Sequence, residues 1–355
     1  MIVTMRERRI DVLDGWRAVS VALVIISHLL NYSSLRGWPY AHFLIQYGAL
    51  GVQIFFVISG FVICRGFIRE TAEFGRISLT AFYARRFFRI IPPLAIYVMT
   101  VMILAYFGIV DRHAVYTSRS LIFVCNFPNA DCGGWLGVHT WSLSTEEQFY
   151  IVFPLMLWLL GKNRKSVITS IAIMLPFLCL FLYMVKLTNT ATFLSLFVSI
   201  GFGVMLAMNE DRARSICSSA PQWIFLLAIG LLLIVAHFTG TPLATALNIV
   251  FIAPLVVIIL TTSMIGTGLV SALLSNHLLR VLGMMSYGLY LWQQLATYAF
   301  PSAGVGFYAA SISGCLILVS CSYYWFELPL IAIGRRLSTR IRGAAKVQSK
   351  SVNFS

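Results

Sequence analysis

The chain is organised as a series of long apolar stretches separated by short polar segments. Ten of these stretches approach the length of about 20 apolar residues that a helix needs to cross the core of a bilayer. They cover residues 15–32, 48–67, 87–108, 146–161, 166–186, 191–208, 222–239, 243–262, 280–300 and 304–326. This pattern predicts an all-α, polytopic integral membrane protein of about ten transmembrane helices.

Composition agrees with a membrane protein. Of the 355 residues, 59% are hydrophobic and 11% are charged, whereas a typical soluble domain has about 25% charged residues. A net charge of +14 is compatible with nucleic-acid binding. However, no basic stripe interleaved with aromatic residues lies on a soluble segment, so we expect a lipid bilayer and no nucleic acid as partner.

The positions of lysine and arginine predict the orientation of the helices. With the N-terminus in the cytoplasm, Arg17 lies within the first helix and four of the other basic residues fall on the outer side: Arg36, Arg112, Arg119 and Lys186. All the remaining ones fall in cytoplasmic segments, as the positive-inside rule requires. We therefore expect both termini to be cytoplasmic, with a ten-helix membrane domain at 1–334 and a disordered basic tail at 335–355.

The first apolar stretch, DGWRAVSVALVIISHLLNY at 14–32, contains an arginine and a histidine. On an α-helix the step from Arg17 to His28 is about 1100°, close to three turns, so both side chains share one face about 16 Å apart along the axis. Ionisable residues inside a span usually face a cavity and mark a functional path. The structural alternative is that His28 bonds a neighbouring helix while Arg17 reaches the headgroups.

A second basic motif stands at the start of the third stretch, in ARRFFRIIPPL at 84–94. Arg85 and Arg89 share a helical face, with Arg86 beside them. Such a cluster anchors a helix against anionic lipid, but guanidinium groups also bind phosphate in a bidentate fashion. Both interpretations stay open from the residues alone.

The segment WSLSTEEQFY at 141–150 precedes the fourth stretch. Ser144 is in the position of an N-cap, with Glu147 at the capping-box position relative to it, which favours a structural role for Glu147. Glu146 is a carboxylate near a helix end. It has the chemistry to orient a histidine or to hold a hydroxyl group.

Small residues and cysteines complete the pattern. Gly60 and the pair Gly201-x-Gly203 lie inside apolar stretches and predict close helix packing. Cys125 and Cys132 lie in a polar loop, where a disulfide and two free thiols are both open. No histidine has a cysteine or acidic partner at the spacing of metal ligands, so we expect no metal site.

Together these motifs resemble the family-3 membrane acyltransferases, which include O-antigen, nodulation-factor, exopolysaccharide and macrolide O-acyltransferases. Arg17, ten residues and His28 match the family's R-x10-H signature. FFVISGFVI, RRFFRIIPPL, WSLSTEEQFY, SYGLYLWQ and FELP follow in the family's order, so the resemblance covers essentially the whole chain. One position departs from the pattern, because Gln293 stands where relatives often have the histidine of YLWH.

The resemblance implies a multi-pass enzyme of the bacterial cytoplasmic (inner) membrane. Such an enzyme passes an acyl group, usually acetyl, from cytoplasmic acyl-CoA to a hydroxyl of a carbohydrate such as a surface polysaccharide or lipid-linked glycan. By residue, it implies catalytic roles for His28, Arg17 and Glu146, and acyl-CoA binding by Arg85, Arg86 and Arg89. The residues expected to bind the acceptor are Ser142, Glu147, Tyr150, Tyr287 and Gln293. Acyl-CoA is then a co-substrate, and no cofactor is bound permanently.

Other functions stay open beside this one. The acceptor can be a macrolide or another small metabolite instead of a polysaccharide. A transporter or flippase would also use ionisable residues inside the membrane, with Arg17 and His28 in its substrate path. For the enzyme, His28 can act as a general base or carry the acyl group itself.

Overall fold

A computed structural model describes residues 10–352 apart from short gaps at 33, 39, 161–163, 219–220, 222, 239–241, 267 and 299–303. The described residues form helices connected by short loops and contain no β-strand. The α-helices are α1 (Asp11–Tyr32), α2 (Ala41–Ile45), α3 (Gly48–Phe74), α4 (Leu79–Tyr106), α5 (Trp135–Val138), α6 (Trp141–Leu160), α7 (Arg164–Met184), α8 (Thr188–Met208), α9 (Glu210–Ser218), α10 (Trp223–His237), α11 (Pro242–Ile265), α12 (Leu269–Leu274), α13 (His277–Met284), α14 (Ser286–Ala296), α15 (Val305–Ser322) and α16 (Leu328–Val352). Two 3₁₀ helices (Ser34–Gly37 and Arg112–Ile122) and one π-helix (Tyr323–Glu327) complete the described elements.

Several of these helices are suited to a membrane. Seven are long and apolar enough to cross it, or eight if α9 and α10 together make one bent span. The all-α membrane class is therefore confirmed, whereas the count of ten and the cytoplasmic termini stay predictions. Three of the ten predicted spans are not among the seven. The span 146–161 lies on α6, the span 222–239 lies on α10, which has 15 residues, and the span 280–300 is divided between α13 and α14.

Glycines bring three of the long helices into close contact. A side chain at Gly51 of α3 would meet the Ser20 carbonyl of α1 at 2.4 Å. Farther along α3, a side chain at Gly60 would meet the Ile200 carbonyl of α8 at 2.1 Å, and Gly203 of α8 is equally close to α3. The predicted packing role of Gly60 and Gly203 is confirmed. Helix α3 is thereby fixed between α1 and α8.

Helix α4 begins earlier than the apolar pattern indicates. It starts at Leu79, where the Ser78 hydroxyl accepts a hydrogen bond from the backbone N–H of Ala81. The arginine motif at 85–89 therefore lies inside the helix, with Pro92 and Pro93 following it in the same helix. The arginines thus stand on a continuous helix packed against α16.

Helix α16 includes most of the segment for which the sequence predicts a disordered tail. Two contacts fix its described part to the rest of the chain. Arg342 donates to the buried carboxylate of Glu70 at 2.7 Å, and the Ser338 hydroxyl accepts a hydrogen bond from Arg85. Composition alone does not indicate these contacts, because Glu70 lies 272 residues from its partner Arg342.

We expect the two glycines of α8 to differ in their tolerance of a methyl group. In Gly203→Ala the new carbon would lie 2.1 Å from the Val57 carbonyl oxygen, whereas in Gly201→Ala the nearest atom is 3.7 Å away. Overpacking of this kind costs about 1–3 kcal/mol. Thermal unfolding in detergent should show a lower Tm for Gly203→Ala and little change for Gly201→Ala. Equal melting temperatures would contradict the packing described for α3 and α8.

Candidate active site

The two ionisable residues of α1 have different partners. Arg17 forms an ion pair with Asp14, one turn earlier on the same helix, at 3.1 Å. Asp14 is 1% exposed, so this pair lies inside the protein. His28 lies three turns farther along the same face and is partly buried. Neither residue is therefore isolated in lipid, and both belong to the interior of the helix bundle.

A chain of hydrogen bonds fixes the orientation of the His28 ring. The Gln294 amide donates to the backbone carbonyl of Trp135 at 2.8 Å, and the Gln293 amide donates to the Gln294 side-chain oxygen at 3.2 Å. This orientation turns the side-chain oxygen of Gln293 towards His28 Nδ1, at 2.9 Å. Since an amide oxygen only accepts, Nδ1 carries the proton and Nε2 is left as the basic nitrogen.

Trp135 also contacts the histidine directly. Its ring meets the His28 ring edge to face, with the centroids 4.9 Å apart. Its indole N–H donates to the Gln294 backbone carbonyl at 3.0 Å. Trp135 and Gln294 therefore hold each other through two hydrogen bonds, and His28 lies against this pair.

The loop before Trp135 is closed by a disulfide between Cys125 and Cys132. This resolves the alternative that the sequence leaves open. Next to it, Asp131 accepts hydrogen bonds from the Gly133 backbone N–H at 3.1 Å and from His113 at 2.9 Å. The hydrogen bond from Gly133 and the nearby His113 side chain hold the pKa of Asp131 below its ordinary value. The loop is thus fixed on both sides of the turn that leads to Trp135.

The three arginines of α4 face different surroundings. Arg85 contacts Ser338 and lies 3.6 Å from the carboxylate of Glu70, so it joins α4 to α16. The guanidinium of Arg86 lies 4.4 Å from the centre of the Tyr150 ring. Arg89 is close enough to Arg17 and Arg86 to be repelled by both. Arg86 and Arg89 therefore point into the bundle.

Arg86 and Arg89 have no carboxylate at ion-pair distance among the described residues. With Arg17 they concentrate positive charge in the interior, at the end of the α1 face opposite to His28. Guanidinium groups without a carboxylate at ion-pair distance, such as those of Arg86 and Arg89, favour an anion in this position, and phosphate in particular.

The polar residues of α6 lie between these arginines and the histidine. The Tyr150 hydroxyl donates to Glu146 at 2.9 Å and also bonds the Ser59 hydroxyl. Glu146 is close enough to Arg86 and Arg17 to be attracted by both, and Glu147 is close enough to be attracted by Arg86. One oxygen of Glu147 is shielded from solvent and has no hydrogen-bond donor among the described residues.

The predicted capping box of α6 is wrong. The helix starts at Trp141, so Ser144 lies inside its first turn and donates to the Thr140 carbonyl at 3.0 Å. The Ser144 hydroxyl also accepts from the backbone N–H of Cys125. Since Ser144 is no cap, Glu147 has no capping role, and its carboxylate faces the interior instead.

Other predicted site residues bond to protein groups. The Ser142 and Tyr290 hydroxyls are 2.8 Å apart, and Tyr290 donates to the His139 carbonyl. The Tyr287 hydroxyl donates to the Ile90 carbonyl of α4 at 2.9 Å. Thus Ser142 lies at the His28 end of the bundle, whereas Tyr287 joins α14 to α4.

The sequence motifs do not indicate a role at the site for four residues that the structure places there. Trp135 and Gln294 hold the orientation of His28, Ser59 bonds Tyr150, and the buried His139 packs against the Tyr97 ring at 5.6 Å. His139 stands two residues before WSLSTEEQFY, and Gln294 directly follows Gln293. Their places beside motif residues are the only signal that indicates them.

Comparison with known proteins gives one family. The model of the acyltransferase domain matches residues 10–329. YrhL of Bacillus subtilis (strain 168), provisionally named a peptidoglycan O-acetyltransferase, is 26% identical over 385 aligned positions, which cover 95% of this chain and 57% of YrhL. The peptidoglycan O-acetyltransferase OatA of Listeria monocytogenes (serovar 1/2a) is 26% identical over 359 positions, covering 90% of this chain and 55% of OatA.

The chain therefore spans somewhat more than half the length of these curated relatives. No solved structure matches it.

We expect the disulfide to stabilise the loop that carries Trp135. Replacing both Cys125 and Cys132 by serine frees a short loop, and this lowers the free energy of unfolding by about 2 kcal/mol. The double variant should melt at a lower temperature than the parent protein, and an excess of dithiothreitol should lower the Tm of the parent but not of the variant. Cys217→Ser is the matched control, because Cys217 is a free thiol. An unchanged Tm in the double variant would contradict this role.

Proposed function

The chain belongs to the acyltransferase family whose model covers residues 10–329, and from this premise we propose that it is a membrane O-acyltransferase. Its donor is cytoplasmic acyl-CoA, its transferred group is acetyl, and its acceptor is a hydroxyl of a cell-surface carbohydrate. The observation that carries the proposal is the bond between His28 Nδ1 and Gln293, which leaves Nε2 as a base inside the bundle.

In the proposed reaction, His28 Nε2 takes the proton of the acceptor hydroxyl as its oxygen attacks the thioester carbonyl. The carbon–sulfur bond then breaks, and the CoA thiolate receives the proton from the imidazolium. A neutral imidazole suits this work because its ordinary pKa is about 6.5. In the alternative mechanism, Nε2 first accepts the acyl group and then passes it to the hydroxyl, so it uses the same free nitrogen.

The donor would bind at the arginine end. Arg86 and Arg89 have no carboxylate at ion-pair distance among the described residues, so they are available for the phosphates of CoA. Arg85 is already engaged by Glu70 and Ser338, and its role would be to hold α4 against α16. The flexible pantetheine arm would then run along α1, past Arg17, to bring the thioester about 16 Å farther to His28.

Glu146 and Tyr150 would position the donor. Glu146 fixes the Tyr150 hydroxyl, and the Tyr150 ring lies under the guanidinium of Arg86. Removing this carboxylate would therefore displace the group that binds phosphate. Ser142, at the other end of α6, is placed to meet the acceptor near His28.

Two findings support an acceptor on the outer side of the bacterial cytoplasmic membrane. The relatives YrhL and OatA carry names that refer to peptidoglycan, a cell-wall carbohydrate. The loop that contacts His28 contains a disulfide, and disulfides persist in oxidising, extracytoplasmic surroundings. Both fit an acceptor glycan that approaches His28 from outside.

The test is acyl transfer by the full chain in membranes supplied with acetyl-CoA and a glycan acceptor. His28→Ala should lower the rate at least about a hundredfold, the contribution expected of general base catalysis, while inserting and melting like the parent. Gln293→Leu should lower kcat and change its pH profile, with the KM for acetyl-CoA unchanged. His277→Ala is the matched control, since His277 is exposed at the start of α13. Full activity of His28→Ala would reject the proposed mechanism.

The same assay distinguishes the proposed function from the two other functions, acylation of a small metabolite and transport. Release of CoA thiol together with a mass increase of a glycan supports the proposal. An increase on a small metabolite would change the acceptor class, and movement of substrate without thiol release would indicate a transporter.

A further inference from the structure

A polar cavity lies between α3, α7, α8 and α11, away from the contacts of His28. Its volume is about 200 Å³. Seven of its lining residues have hydroxyl or amide side chains, and none of the described lining residues carries a charge. These seven residues are Gln53, Tyr183, Thr192, Ser195, Ser199, Thr245 and Asn248. The rest of the lining is apolar and comes mainly from α8 and α11.

The position of the cavity follows from the two faces of α3. On one face, Gly48 and Gly51 touch Ser27 and Ser20 of α1. On the opposite face, Gln53 accepts a hydrogen bond from Ser199 of α8 and borders the cavity. The cavity therefore lies at the level of the His28 end of α1. Only the width of α3, about 8–10 Å between packed helix axes, separates it from α1.

The lining has hydrogen-bonding capacity that the described protein groups do not use. The side-chain oxygen of Asn248 is shielded from solvent and has no donor among the described residues, whereas its amide N–H donates to the Phe238 carbonyl at 3.3 Å. Gln53 accepts from Ser199, and its amide N–H groups have no acceptor among the described residues. Buried polar groups without partners are costly, and more so inside a membrane domain. A lining of this kind is typical of a cavity that holds a polar ligand.

The chemistry of the lining selects the class of ligand. Donors and acceptors without charge fit a molecule with several hydroxyl groups and no net charge. A lipid headgroup would bring a phosphate into a cavity that offers no cation to neutralise it. The volume is about that of seven water molecules at about 30 Å³ each, enough for one sugar ring but not for acyl chains.

We propose that this cavity binds an uncharged sugar unit of the acceptor glycan, at a distance of a few units from the hydroxyl acylated at His28. The proposal rests on the proposed function and adds an acceptor subsite to it. It predicts that the enzyme prefers oligosaccharide acceptors to single sugars, because only a longer glycan can occupy both places. Asn248 and Gln53 are the residues that would distinguish the two kinds of acceptor.

The test compares Asn248→Leu with Asn209→Leu in the full chain. Asn209 is the control because it directly follows α8 and lies outside the cavity lining. The acceptors are N-acetylglucosamine and its β-1,4-linked tetrasaccharide, both uncharged. In Asn248→Leu we expect the KM for the tetrasaccharide to rise about tenfold, as for the loss of one buried hydrogen bond. Transfer to the single sugar and the KM for acetyl-CoA should not change.

Three results would overturn the proposal. The first is equal KM values for the tetrasaccharide in the parent and Asn248→Leu. The second is an equal rise in KM for both acceptors in Asn248→Leu. The third is a defect that depends on phosphatidylglycerol in the vesicles and not on acceptor length, which would assign the cavity to a lipid headgroup. Melting temperatures of both variants show that each is folded.

Calorimetric binding of the tetrasaccharide separates this proposal from the proposed function. Binding by the parent that is weakened about tenfold in Asn248→Leu supports the subsite even if no acyl transfer is detected. Normal binding by Asn248→Leu overturns the subsite and leaves the acyl transfer reaction unaffected.

Discussion

The hydrogen bond between His28 and Gln293 is the interaction on which the site depends. It joins α1 to α14 across 265 residues of sequence and determines which ring nitrogen carries the proton. Because the Gln293 amide is oriented by Gln294, and Gln294 by the Trp135 carbonyl, the disulfide-closed loop indirectly determines the state of the histidine. An amide also differs from a carboxylate in this position. It orients the imidazole without adding a negative charge to stabilise the imidazolium.

The cost of polar groups in a membrane explains the distribution of the other side chains. Asp14 is paired with Arg17, Glu70 with Arg342, and Glu146 with a tyrosine hydroxyl. In each case the protein itself supplies the partner that water would otherwise provide. Two of the exceptions among the described residues are the pair Arg86 and Arg89 at one end of the bundle and the neutral cavity at the other. These are the places where the proposals put an anionic donor and an uncharged acceptor.

Features that depend on local periodicity could be predicted from the sequence. The apolar stretches predict the helices, and the helical repeat alone places Arg17 and His28 on one face. Gly60 and Gly203 predict the close contact of α3 and α8, since small residues inside apolar helices permit the approach of two backbones.

Features that depend on tertiary contacts could not be predicted in this way. The prediction of a capping box was wrong because α6 starts three residues before Ser144, in a segment positioned by contacts with the disulfide loop. Gln293 was expected to bind the acceptor, and nothing in its neighbourhood indicates that it lies beside His28. The buried partners of Arg85 likewise come from distant parts of the chain, so its engagement with α16 has no local signal.

In the proposed reaction, donor and acceptor approach the same bundle from opposite ends. Proteoliposomes with a single protein orientation test it most directly, with acetyl-CoA confined to the side of Arg86 and Arg89 and the tetrasaccharide confined to the side of His28. We expect acetylated tetrasaccharide to collect in the acceptor compartment while free CoA thiol collects in the donor compartment. Transfer that occurs only when both substrates share one compartment would contradict it.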